Sequence, residues 1–114
     1  MDASAALSEL VGLSTQVVEV VITGPEGTVE AARTGSEERT RALAAAGSEL
    51  VALAVPLRPG ASVERVHVDL DTGSVVVARD GERTIVATTV AEPTAGLVAF
   101  DLRTALRRVR GDET

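Results

Sequence analysis

Apolar residues recur along this chain first at helical spacing, then in β-branched runs, then at every second position. Each change of period marks an element. Ala6, Leu7, Leu10 and Leu13 share one stripe, which predicts a helix over Ala3 to Leu13 with Asp2 as its N-cap. Ser14 and Thr15 break it. VVEVVIT, Val17 to Thr23, is β-branched except at Glu19 and predicts a strand. TVEAAR, Thr28 to Arg33, predicts a second, poorer strand. Ser36 is placed to cap the longest helix, with Glu37 and Glu38 in the first turn, where the dipole favours negative charge. Its apolar stripe runs through Leu43, Ala46, Leu50, Leu53 and Leu57. Pro56 disfavours helical angles at Val55, so regular helix is expected to stop near Ala54.

After the turn LRPGAS, the period becomes two from Val63 onward: Val66, Val68 and Leu70 alternate with Arg65, His67 and Asp69. Asp71-Thr72-Gly73 turns this strand into Val75 to Ala78, and Asp80-Gly81 is a hairpin signal leading to a last strand, Thr84 to Val90. Thr94, after Pro93, caps a final helix to about Val109, with Arg103, Arg107, Arg108 and Arg110 complementing its C-terminal dipole and Gly111 able to stop it. The order is α-β-β-α-β-β-β-α, an α+β fold in one domain, 1–114. The first, fourth and fifth strands are apolar on both faces, so helices should flank the sheet on both faces. The alternating third strand and the short second one are then the edges, and an open third strand is a liability unless something pairs with it.

Composition sharpens this picture. Apolar residues make up 45% of the chain but aromatics only 1%, Phe100 being the sole example. A core of Val, Leu, Ile and Ala buries modest area per residue, so burial against a second subunit is worth much to it. The net charge is −6, and no basic stripe suits a nucleic acid, so no nucleic-acid partner is expected. All eleven basic residues are Arg, a bias assigned to genome base composition. Without cysteine there are no disulfides or thiolate metal sites. MDASAALSEL lacks the basic start of a signal peptide, and no apolar stretch reads as approaching 18 residues, so a cytoplasmic protein without membrane insertion is expected.

Candidate chemistry is sparse. ITGPEGT, residues 22–28, places glycines after a strand as a phosphate loop does, but it leads into another strand, lacks a following GK[ST], and holds Glu26, which repels anions. It reads as a hairpin bend. His67 is the only histidine, with Asp69 and Glu64 as its only nearby ligands, so no metal site is expected and the ring is solvated or at an interface. Glu19, alone in an apolar strand, is either a functional carboxylate or the partner of an Arg. No GxSxG occurs; neither an enzyme nor a cofactor is expected. ALAAAG, Ala42 to Gly47, says more. Gly47 costs about 1 kcal/mol relative to Ala inside a helix, so a close approach is implied. The helix lies tightly either on its own sheet or on the same helix of a second copy, beside the open third strand. The candidate dimer interface therefore takes Ala42, Leu43, Ala46, Gly47 and Leu50 from the helix. From the strand it takes Arg65, Val66, His67, Val68 and Asp69.

VVEVVITGPEGTVEAA, VERVHVDLDTGSVVVARDGERTIVATTV and EPTAGLVAFDLRTALRRV together resemble the Roadblock/dynein light-chain family: its first hairpin, its three-strand meander and its closing helix. The resemblance spans about Leu7 to Val109. Glu26 stands where the family usually has Asp before the hairpin Gly, and Ala95-Gly96-Leu97 replaces an Asn-Leu-Gly-like helix start. The resemblance implies a single five-stranded antiparallel sheet, Roadblock/profilin-like, with the long helix on one face and the terminal helices on the other. It also implies a homodimer joined through the long helix and the third strand, with a small Ras-like GTPase as partner. The function it implies is a bacterial, non-catalytic regulator or adaptor of a GTP cycle. The alternative is a dimeric scaffold in a sensor-kinase or membrane-associated signalling complex without direct GTPase regulation. Arg33, Arg39 and Arg41, near the start of the long helix, are the expected partner contacts.

Overall fold

The computed structural model describes residues 1–111. Its elements are α1 (Ala3–Leu13), β1 (Val17–Thr23), β2 (Val29–Arg33), α2 (Glu37–Ala54), β3 (Arg65–Leu70), β4 (Gly73–Asp80), β5 (Arg83–Thr89) and α3 (Ala95–Arg110). The strands form one five-stranded sheet in the order β2-β1-β5-β4-β3, and every neighbouring pair is antiparallel. β2 and β3 are the edges, as their patterning requires, and the doubly apolar β1, β5 and β4 lie inside.

Local signals set the element ends. The Asp2 carboxylate accepts from the Ala5 N–H at 2.8 Å, and the Ser36 hydroxyl accepts from the Arg39 N–H at 3.1 Å. Each satisfies one of the donors left over at a helix start. Gly111 closes α3 in the left-handed conformation, φ 96°, with its N–H reaching back to the last-turn carbonyls. The segment 22–28 is a bend: Pro25–Gly27 forms a 3₁₀ turn, with Glu26 and Gly27 at positive φ, and the Gly24 N–H donates to the Thr28 carbonyl.

Two local expectations need correction. Regular helix stops at Ala54, but Val55 keeps right-handed helical angles and the chain tightens into a 3₁₀ turn over Val55–Leu57, a common ending for a helix. Thr94 precedes α3 without capping it through its side chain. Its carbonyl accepts from the Leu97 and Val98 N–H groups, and its own N–H donates to the Gln16 side chain.

The pleat sends alternate residues of each inner strand to opposite faces. Val20, Ile22, Val76, Ala78, Ile85 and Ala87 join α1 and α3 in the larger core. Val21, Val77 and Val86 point the other way, where Leu43 of α2 completes a smaller cluster.

Candidate protein interface

α2 is seated by its smallest residue. A Cβ on Gly47 would stand 3.2 Å from the Val86 Cβ, tighter than an ordinary contact, so glycine lets the helix settle this closely on β5 without displacing Val86. Leu43 is buried on the same side. Of the two readings of ALAAAG, packing on the chain's own sheet accounts for these positions. Leu43 and Gly47 are therefore withdrawn from the dimer interface, because their side of the helix is already used.

The rest of the helix tells a different story. Ala42 is exposed, and Ala46 and Leu50 are half-buried. Along the stripe Ala46, Leu50, Leu53 and Leu57 coverage falls away, until Leu53 is 69% and Leu57 80% exposed. Residues 37–57 contain a window long and apolar enough to cross a membrane by length and composition, and only 11% of it is buried. That corrects the expectation that no such stretch exists, and it marks an apolar surface open to solvent.

β3 extends this surface. Its register places Val66 opposite Val77 and Val68 opposite Val75, so both valines share the α2 face. Both are only half-buried, and Leu70 beside them is exposed. As the last strand of the sheet, β3 has one edge without a neighbouring strand. Arg65, His67 and Asp69 lie on the opposite face, since they pair with Ala78, Val76 and Ser74. The ten proposed interface residues are thus split by the sheet. Val66 and Val68 border α2, while Arg65, His67 and Asp69 look toward α3.

The titratable groups are held by neighbours. Asp69 accepts from the Ser74 hydroxyl at 2.7 Å, and His67 Nε2 lies 2.8 Å from the same oxygen. The Ser74 hydrogen bond, then the nearby imidazole, holds the Asp69 carboxyl below its ordinary 3.8. Among the described residues, no group of three or more His, Asp or Glu gathers as a metal site. Glu19 resolves as the partner of an arginine. Arg39 donates to it twice, at 3.0 and 2.9 Å, and the Thr88 hydroxyl donates at 3.0 Å. The Arg39 hydrogen bond lowers the Glu19 carboxyl below 4.5 against the opposing pull of burial.

The three arginines expected to meet a partner do not converge. Arg39 is engaged by Glu19. Arg33 donates to Ser8 of α1 and to the Ala32 carbonyl. Only Arg41, exposed on α2, makes no side-chain hydrogen bond among the described residues.

One antiparallel sheet between a single helix and a helix pair defines a class of small α+β modules. Neither a protein-family model nor a curated protein sequence matches the chain. Solved structures do. A Roadblock/LC7 domain from Streptomyces avermitilis is 21% identical, with a TM-score of 0.84 and 97% of each chain covered. Myxococcus xanthus MglB is 13% identical, with a TM-score of 0.71, covering 98% of this chain and 90% of that one. A further MglB structure has a tetrameric arrangement. LokiProfilin2, in complex with rabbit actin, is 11% identical with a TM-score of 0.64, covering 93% of this chain and 94% of that one. The chain therefore has the Roadblock/LC7 fold, with profilins among its structural neighbours.

Proposed function

We propose that the protein is a cytoplasmic, non-catalytic homodimer that binds a small Ras-like GTPase and modulates its GTP cycle. The observation that carries the dimer is the apolar flank of α2, open at Leu53 and Leu57 and flanked by β3 with its unpaired edge. Two copies related by a two-fold axis would pair their β3 edges and lay the α2 flanks together, covering both at once. The GTPase rests on the Roadblock/LC7 fold together with the motif resemblance. Such a regulator acts by binding one state of the nucleotide-gating loops more tightly than the other, which shifts their population without chemistry of its own. Arg41 is the one of the three expected arginines left to reach outward.

The test has two parts. Sedimentation should give twice the monomer mass at micromolar concentration, and a stable monomer there would remove the dimer. GTP turnover by a GTPase encoded beside this protein should change when it is added. Absence of binding in both nucleotide states would leave the scaffold reading, which co-purification from native cells then examines directly.

A further inference from the structure

On the face of the sheet away from α2, α3 stops short of covering β3. It leaves a cleft of about 360 Å³ between the helix and the strand. One stripe of α3 lines it, Phe100, Arg103 and Arg107, and Arg65 of β3 stands opposite, with one carboxylate, Glu64, beside it. On a chain of net charge −6, this gathers three guanidinium groups in one place. The side chains of Arg65 and Arg107 make no ion pair or hydrogen bond among the described residues. Arg103 has only a 3.6 Å contact with Glu64, too long for a hydrogen bond, and its Nε is buried without a partner. A guanidinium held by packing yet short of acceptors is suited to receive carboxylates from outside. Beside it, the chain's only aromatic residue, Phe100, is 60% exposed.

We propose that this cleft binds an extended acidic segment of a partner protein. The spacing defines the motif. Arg103 and Arg107 lie four residues apart on α3, about 6 Å along the axis. In an extended chain, alternate side chains lie on one side about 6.7 Å apart. Carboxylates at every second position therefore meet Arg103 and Arg107 in turn. One step further along, an apolar side chain lies on Phe100, giving the pattern apolar-x-acid-x-acid. Arg65 flanks the segment from the strand side. Long-range repulsion from the acidic remainder of the molecule makes this patch the preferred landing place for negative charge. The cleft belongs to a single protomer and rests on neither the dimer nor the GTPase reading.

The probe is a labelled synthetic peptide containing Leu-Ser-Glu-Ser-Glu, followed by fluorescence anisotropy against the full chain. Two controls accompany it: a respaced peptide with Leu-Ser-Ser-Glu-Glu and a basic one with Leu-Ser-Lys-Ser-Lys. The alternating peptide should bind at least fivefold tighter than the respaced one, the basic peptide should not bind, and added salt should weaken the interaction. The double variant Arg103→Gln with Arg107→Gln should lose at least tenfold, and Phe100→Ala a few-fold with the salt dependence retained. Arg33→Gln, on β2 at the opposite edge of the sheet, should bind as the parent does. Leu53→Arg should keep the affinity even as a monomer, which separates this proposal from the dimer. Equal binding of the alternating and respaced peptides would overturn it on the parent protein alone, whatever the variants' folding. Tighter binding of single-stranded DNA or anionic vesicles than of the peptide would overturn it too, as would loss of peptide binding in a folded Leu53→Arg monomer.

Discussion

On one face of the sheet, α1 and α3 enclose fifteen buried residues in a continuous aliphatic core. On the other, α2 alone buries only Val21, Leu43, Val77 and Val86, with a fringe of half-covered valines and alanines. Both faces are made by the same central strands, but the α2 face also carries Glu19, Arg79, Thr84 and Thr88 among its valines. The asymmetry comes from that polar share and from the single helix that covers it. α2 is the longest helix, yet the glycine that seats it leaves much of its apolar circumference turned away from the sheet. A Leu moved from full exposure to full burial contributes about 1.5 to 3 kcal/mol. Leu53, Leu57 and Leu70 together therefore make the thin face worth covering, and it lies next to an unpaired edge.

The largest effect should come from breaking the thick face. Leu102→Ala removes a fully buried side chain, and should cost about 2 to 5 kcal/mol by the cavity it leaves; a urea titration reads this directly. On the thin face the sensitive change is the opposite one. Gly47→Leu drives a side chain into Val86, and should cost about 1 to 3 kcal/mol through overpacking while lifting α2 from the sheet. If it melts with the parent, α2 is not seated as described.

Leu53→Arg should change the folding stability of the protomer by less than about 0.5 kcal/mol, as surface substitutions do. In sedimentation, however, it should turn dimer into monomer. A dimer that persists would move the interface off the α2 flank.

The smallest effect is electrostatic. Glu19 ties β1 to α2 through Arg39, and Asp69 is tied within the β3–β4 pair. Both carboxyls are depressed in the folded state, so their contributions are complete above their ordinary values of 4.5 and 3.8. They are lost as pH falls through the lower folded values. Stability should fall on acidification below that range, and Glu19→Gln should flatten part of the fall. Arg39 is exposed, so solvent screens the Glu19–Arg39 pair and its share is small. A Glu19→Gln protein with the parent's full acid dependence would remove the assigned role.

Where tertiary context entered, it reordered the candidate site. The helical stripe from Leu43 to Leu57 was plain from spacing, but spacing does not say which part of a stripe meets the sheet. Leu43 and Gly47 went inward, and Leu53 and Leu57 were left outside. Alternation in β3 was equally plain, and taken strictly it already separates Val66 and Val68 from Arg65, His67 and Asp69. The five therefore belong to two surfaces on opposite faces of the sheet. Arg39 reached Glu19 and Arg33 reached Ser8 across twenty and twenty-five residues of chain, distances over which no local pattern carries information.

Element identity and boundaries were determined by residues acting on their immediate neighbours. Asp2 and Ser36 satisfy nearby N–H groups, Asp80-Gly81 turns a hairpin, Gly111 adopts a left-handed stop, and β-branched runs extend the chain. Those effects reach no further than a turn of helix or a pair of strands, so the sequence alone could settle them. How deeply α2 sits, which arginines are spent on internal partners, and that Phe100 stays outside beside Arg103 and Arg107 were decided by the assembled fold. Each of these depends on the distance between segments far apart in the chain, and that distance exists only once the sheet has closed between its helices.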